Sequence, residues 1–236
     1  MALFSKKSEK DSQSKTYPKD ADLSQIEINN KIGFVSNLNR QSFSKWIHTY
    51  AIEITIAIVG SLILLIPSLT LSLQFDRNLV SQHHYWLLIT GQWTHFGWTH
   101  WVLDFIAIII AAMLSPIGLN KQGMIQLWLS FIVVGIGIWI MGDSTYYRGI
   151  SGVVYGWIVL AALRCVYFDT LHKVIFISLA VLKVASDVMG WDLFGIPGQI
   201  GAKVSVAAHV FGLISVLLII PFQYKSMNRN ISNNKT

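Results

Sequence analysis

The chain has 236 residues, 53% of them hydrophobic and 13% charged, and its mean hydropathy is +0.51. Soluble domains carry about twice that charged fraction, so composition excludes that class and points to a membrane protein. A formal net charge of +6 then reflects how Lys and Arg are distributed across a membrane rather than a nucleic-acid surface, and one cysteine, Cys165, excludes an internal disulfide.

Residues 1–46 are rich in Ser, Lys, Asp and Asn. They hold too little apolar surface for a domain, so a mobile tail is expected, with a weakly amphipathic stretch at Leu23–Phe43 suited to a membrane surface. No signal peptide is expected, because the first apolar run begins too far from Met1. Apolar windows follow near 50–73, 99–118, 123–141, 152–168, 171–189 and 203–222. Each approaches the roughly 20 residues that cross a hydrocarbon core, which predicts six spans.

With the N-terminus in the cytoplasm, only Arg77, Arg148 and Lys203 of the 18 basic residues fall outside, and Lys183 lies within the fifth span. The other fourteen share the inner side, so both termini are expected to be cytoplasmic. Residues 47–223 form the expected six-helix domain, and 224–236 a second cytoplasmic tail.

Span 1 carries Glu53 near its inner end, where snorkelling accounts for it, and Pro67 as an expected kink. The outer segment from about Gln74 to Thr94 holds Trp86 and Trp93, as an interfacial loop does, and a solvated pair, His83 and His84. His95-Phe96-Gly97-Trp98-Thr99-His100-Trp101-Val102-Leu103-Asp104 then leads into span 2. His100 and Asp104 are four apart and share a helix face at about 6 Å. Ionisable groups inside a span are costly and turn toward protein, either to join helices or to do chemistry. Span 3, with Gly135 and Gly137, is a packing helix.

Span 4 opens with Gly149-Ile150-Ser151-Gly152 and continues through Tyr155 and Gly156. A serine at a helix start lies beside free N–H groups, which suits a nucleophile next to an anion site. The same string is also an ordinary capped helix start with small residues for packing. Lys183 and Asp187 in span 5 are spaced to pair with each other, and nothing in the sequence aligns them with the serine. The glycine-rich loop from Met189 to Ala202 is either a lid or a connector.

Span 6 contains Ala207-Ala208-His209-Val210-Phe211-Gly212. Counting from residue 203, His209 lies roughly 9 Å below the outer end of this helix. Ala208 and Gly212 repeat the small-xxx-small step of Gly152 and Gly156, which would let two helices approach and set His209 against Ser151 and Tyr155. Ser151, His209, His100, Asp104 and His95 all fall in one leaflet. A Ser–His dyad with the helix-start N–H and His100 as oxyanion donors would have the parts of an acyl-transfer site.

These residues resemble the rhomboid family of intramembrane serine proteases. The resemblance rests on Gly149/Ser151/Gly152 at the start of helix 4, on Ala208/His209/Gly212 in helix 6, and on His95/His100 with Asp104 at the family's asparagine position. It covers about residues 47–222. It implies an all-α, six-transmembrane-helix rhomboid-like bundle, a serine endopeptidase with Ser151 and His209 as catalytic residues, and Tyr155 stacked on the histidine. His100, Asp104, His95, Gly149 and Gly152 would support the site and its oxyanion, with no metal and no cofactor. A carboxylate cannot donate to an oxyanion, so Asp104 is either protonated or paired with a charged His100, and the pair is the favoured reading.

Within the family the Tyr147-Arg148-Gly149-Ile150-Ser151-Gly152-Val153-Val154-Tyr155-Gly156 block is most similar to rhombosortases. That similarity implies membrane-anchored protein substrates with C-terminal Gly-Gly tails, in the lipid bilayer, cut at the outer, periplasmic face of a bacterial inner membrane. Two alternatives stand beside it. One is a metalloprotease using His95, His100, Asp104 and His209, which lacks His-Glu-x-x-His spacing and leaves Ser151 idle. The other is a non-catalytic rhomboid-like protein that binds membrane helices.

Overall fold

The computed structural model describes the backbone of residues 23–118, 120–142, 144–191 and 195–233, with side chains from 42 to 221 except at 119, 143, 192–194 and 196. The chain divides into two compact units, Met1–Lys45 and Trp46–Thr236, and the site lies in the second. The tail expectation for residues 1–22 lies outside the described residues; from Leu23 the backbone is helical, in α1 (Leu23–Leu65).

The protein is mostly helical, at 77%. Two helical stretches are long and apolar enough to cross a membrane, Ser42–Leu65 and α6 (Lys121–Met141), among the described residues. A third arises if α4 (Leu87–Thr90), its 3-10 continuation Gly91–Trp93 and α5 (Trp98–Leu114) count as one span, bent by 92°. Two further apolar helices are shorter: α7 (Ser151–Arg164) and the Val206–Pro221 part of α10 (Val206–Asn233). Between them, α8 (Thr170–Val188) carries Lys173, Lys183 and Asp187. The apolar windows run past several helix ends, at residues 115–118, 165–168 and 203–205, because hydropathy averaging crosses them. Pro67 gives one such end. It leaves Ile66 extended (φ −116°, ψ 92°) and opens α2 (Pro67–Leu73) at its first turn instead of kinking a continuous helix.

The segment after α2, expected as an outer loop, is a folded cap. β1 (Phe75–Asp76) pairs antiparallel with β2 (Tyr146–Tyr147), setting Phe75 opposite Tyr147. Asp76 caps α3 (Arg77–Ser81) by accepting from the Asn78 and Leu79 N–H groups. The Arg77 guanidinium donates to the carbonyls of Ile138 and Gly142 at 2.8 and 2.6 Å, and to that of Trp139, supplying the end of α6 with the donors it lacks. Gln92, fully buried, donates to Leu88 O and Phe131 O at 2.8 Å each. His83 is exposed, with Nδ1 at 2.8 Å from the Tyr85 hydroxyl, and takes no part in the site.

Beneath the cap lies a core of Ile52, Ile56, Trp101, Phe131, Val134, Ile138, Val153 and Trp157. α7 and α10 pack backbone to backbone. A Cβ added to Gly212 would lie 2.0 Å from Gly152 O, and one added to Gly156 would lie 2.6 Å from Gly212 O. Only residues without a side chain permit this approach.

Glu53 departs from the snorkelling expectation. It is buried, and its carboxylate accepts the Ile117 N–H at 2.8 Å, tying α1 to the turn between α5 and α6. Replacing Glu53 by Ala orphans that N–H and should cost about 1–3 kcal/mol, read as a lower unfolding midpoint in detergent. An unchanged midpoint would remove the tie from the list of stabilising contacts.

Candidate active site

Ser151 is the first residue of α7, and the chain reaches it through a left-handed Gly149 at φ +129°. Two constraints make glycine necessary there. The dihedral disfavours side chains, and a Cβ would stand 2.8 Å from His100 Cε1. Three contacts pin this loop. The Gly149 N–H donates to Gly91 O of the cap at 3.4 Å, and the Tyr147 hydroxyl donates to Gly149 O at 2.6 Å. The third is the Ile150 N–H, which donates to Asp104 Oδ2 at 3.3 Å. Burial pushes the Tyr147 phenol well above its usual range, so its hydroxyl keeps its proton and remains a donor.

His209 is in the first turn of α10, nearer the helix start than the window from residue 203 implied. The chain stays non-helical until Ser205, whose hydroxyl caps the helix by accepting the Ala208 N–H at 3.3 Å. The close contact of α7 with α10 then brings the two side chains together. Ser151 Oγ is 3.2 Å from His209 Nε2. The Tyr155 ring, one turn further along α7, lies 4.3 Å from the imidazole at 41°.

A correction concerns α8. Lys183 and Asp187 do pair, but Asp187 also turns to the site: its Oδ2 is 2.9 Å from His209 Nδ1, while Oδ1 takes Lys183. Sequence reading missed this alignment, since the i,i+4 pair accounts for both charges locally. It missed Tyr147 as well, for which no motif signals the contact to Gly149.

On the other side of Ser151, Asp104 gathers polar groups from α5 and the segment before it. His95 Nε2 and His100 Nε2 lie 3.2 and 3.5 Å from Asp104 Oδ2. Neither His95 ring nitrogen has a hydrogen-bond partner, so its approach to Asp104 is a close contact rather than a hydrogen bond. His100 Nδ1 accepts from the Phe96 N–H at 3.5 Å, leaving its proton on the Nε2 that faces Asp104. Asp104 accepts from the Ile150 N–H and so organises the turn that delivers Ser151, and an accepting His100 Nδ1 means a neutral ring in place of the charged partner expected for Asp104.

A cavity of about 460 Å³ lies between α5, α7, α8 and α10, with apolar walls from Leu103, Ile158, Phe176 and Leu179. Ser151, Asp104, His100, Lys183 and His209 supply its polar face. Among the described residues, no three His, Cys, Asp or Glu side chains converge as metal ligands do, and both His209 ring nitrogens are already engaged.

A hydroxyl, an imidazole and a carboxylate thus stand in line beside an apolar cavity among apolar helices. The Rhomboid domain family matches residues 82–225, more than half of the chain, and the protein belongs to that family of intramembrane proteases. No curated protein and no solved structure gives a match.

Proposed function

We propose that the protein is an intramembrane serine endopeptidase in which Ser151 is the nucleophile and His209 its general base. The observation that carries this reading is the 3.2 Å approach of Ser151 Oγ to His209 Nε2 inside a largely apolar cavity. As Oγ bonds to the scissile carbonyl carbon, its proton passes to Nε2 and the carbonyl oxygen becomes an oxyanion. Collapse breaks the C–N bond, the amine leaves with the Nε2 proton, and water then releases the acyl group by the same proton route.

The oxyanion is stabilised by the Ser151 N–H at the start of α7 and by the His100 Nε2–H, with Gly149 and Gly152 allowing the close backbone approach. Asp104 and His95 hold His100 and the Ile150 turn. Asp104→Asn keeps an acceptor for the Ile150 N–H and should cleave within a few-fold of the native rate or faster. Asp104→Ala should fall about 10²-fold, as when an oxyanion donor is lost. Equal loss in the two variants, measured as kcat/KM, contradicts this role.

We extend the proposal to the setting. Residues 47–223 form a protease domain that crosses the membrane six times, flanked by cytoplasmic segments 1–46 and 224–236. Support comes from the inward bias of Lys and Arg and from the helices at each apolar window. The site would then open to the periplasmic side of a bacterial inner membrane.

Rhombosortase-like removal of C-terminal Gly-Gly tails fits a site that must take extended backbone, because glycine leaves a helix at little cost. The test is co-expression of a membrane-anchored substrate carrying a Gly-Gly tail with the native chain or Ser151→Ala. Tail removal by the native chain alone supports the reading, whereas an intact tail in both rejects the substrate class.

A further inference from the structure

We infer that Asp187 is a positioning residue that extends the Ser151–His209 pair into a three-member hydrogen-bonded line, an inference that rests on the serine-protease function proposed above. The His209 ring is held at both nitrogens: Nε2 at 3.2 Å from Ser151 Oγ, and Nδ1 at 2.9 Å from Asp187 Oδ2. A carboxylate only accepts, so the ring proton sits on Nδ1. That leaves the Nε2 lone pair toward the serine hydroxyl, the tautomer a general base requires.

The remaining contacts serve the same end. The Asp187 side chain is only 8% exposed, and a lone carboxylate there would be costly. Lys183, one turn earlier on α8, takes the second oxygen, so the charge is compensated without displacing His209. Tyr155 covers the ring face. Imidazole rotation is thereby blocked from three sides.

During attack the bookkeeping of protons closes without Asp187 changing state. The Ser151 proton moves to Nε2 as the Oγ–C bond forms, and the imidazolium keeps its Nδ1–H on Asp187. The Nε2 proton then leaves with the amine. Asp187 never touches the substrate; it sets the tautomer and balances the transient charge.

The test uses the full chain in detergent with 15N-labelled histidine, the His209 signals being assigned by their loss in His209→Ala. Ring shifts should report a proton on Nδ1 in the native protein, and a population moved toward Nε2 in Asp187→Asn. With a cleavable membrane substrate, Asp187→Asn should lose about 10²-fold or more in kcat, as amidation of a triad aspartate does elsewhere. KM should stay within about threefold, and Asp187→Glu should recover part of the rate. Because Asp187→Asn sets Lys183 against a neutral amide, the neutral double variant Lys183→Gln/Asp187→Asn controls for misfolding and should remain as slow.

A native His209 protonated on Nε2, or a double variant with native kcat, overturns the inference while leaving a working protease. A native chain that cleaves nothing rejects the protease reading itself. The tautomer measurement needs no substrate, so the two failures stay distinct.

Discussion

Ser151→Ala should abolish proteolysis, lowering kcat by about 10⁴-fold or more, with the unfolding midpoint unchanged. The hydroxyl stands 3.2 Å from His209 Nε2, and removing it takes away the nucleophile that this base faces. His209→Ala should cost about as much, and the double variant no more than either single one, because the two groups act as a unit. Additive losses would mean that the residues work separately, contrary to the proposed chemistry.

The second large effect lies in packing rather than chemistry. Gly212→Val sets a branched side chain where even a Cβ would stand 2.0 Å from Gly152 O, so α7 and α10 must separate by an ångström or more. Ser151 rides on one helix and His209 on the other, so the separation transfers directly to their hydrogen bond. A displacement of this size should lower kcat/KM by about 10²-fold. Overpacking should also cost about 1–3 kcal/mol of stability. Gly198→Ala is the control, since no atom lies within 4 Å of its added Cβ. If Gly212→Val cleaves at the native rate, α7–α10 contact does not set the reaction geometry.

Ser151 and His209 could be paired from sequence because paired small-residue steps act over a fixed distance along each helix. Gly152 and Gly156 answer Ala208 and Gly212, and polar residues one position away are carried with them. Asp187 was not legible, since a helix pattern gives the i,i+4 neighbour Lys183 but not the face that α8 turns to α10. Glu53 was misread for a related reason: its partner is a backbone N–H in a turn 64 residues away. The cap was taken as a loop because its order comes from Arg77 and Gln92 bonded to distant carbonyls, with only a two-residue ladder for a strand signal. Helix ends escaped hydropathy averaging, as Pro67 and the late start of α10 illustrate.

The most direct measurement is mass spectrometry of the purified chain after exposure to a fluorophosphonate, which traps only a serine made nucleophilic by a neighbouring base. A single phosphonyl adduct on Ser151, absent from Ser151→Ala and from His209→Ala, is the result expected. An unmodified Ser151, or labelling that survives the loss of His209, would contradict an activated serine at this site.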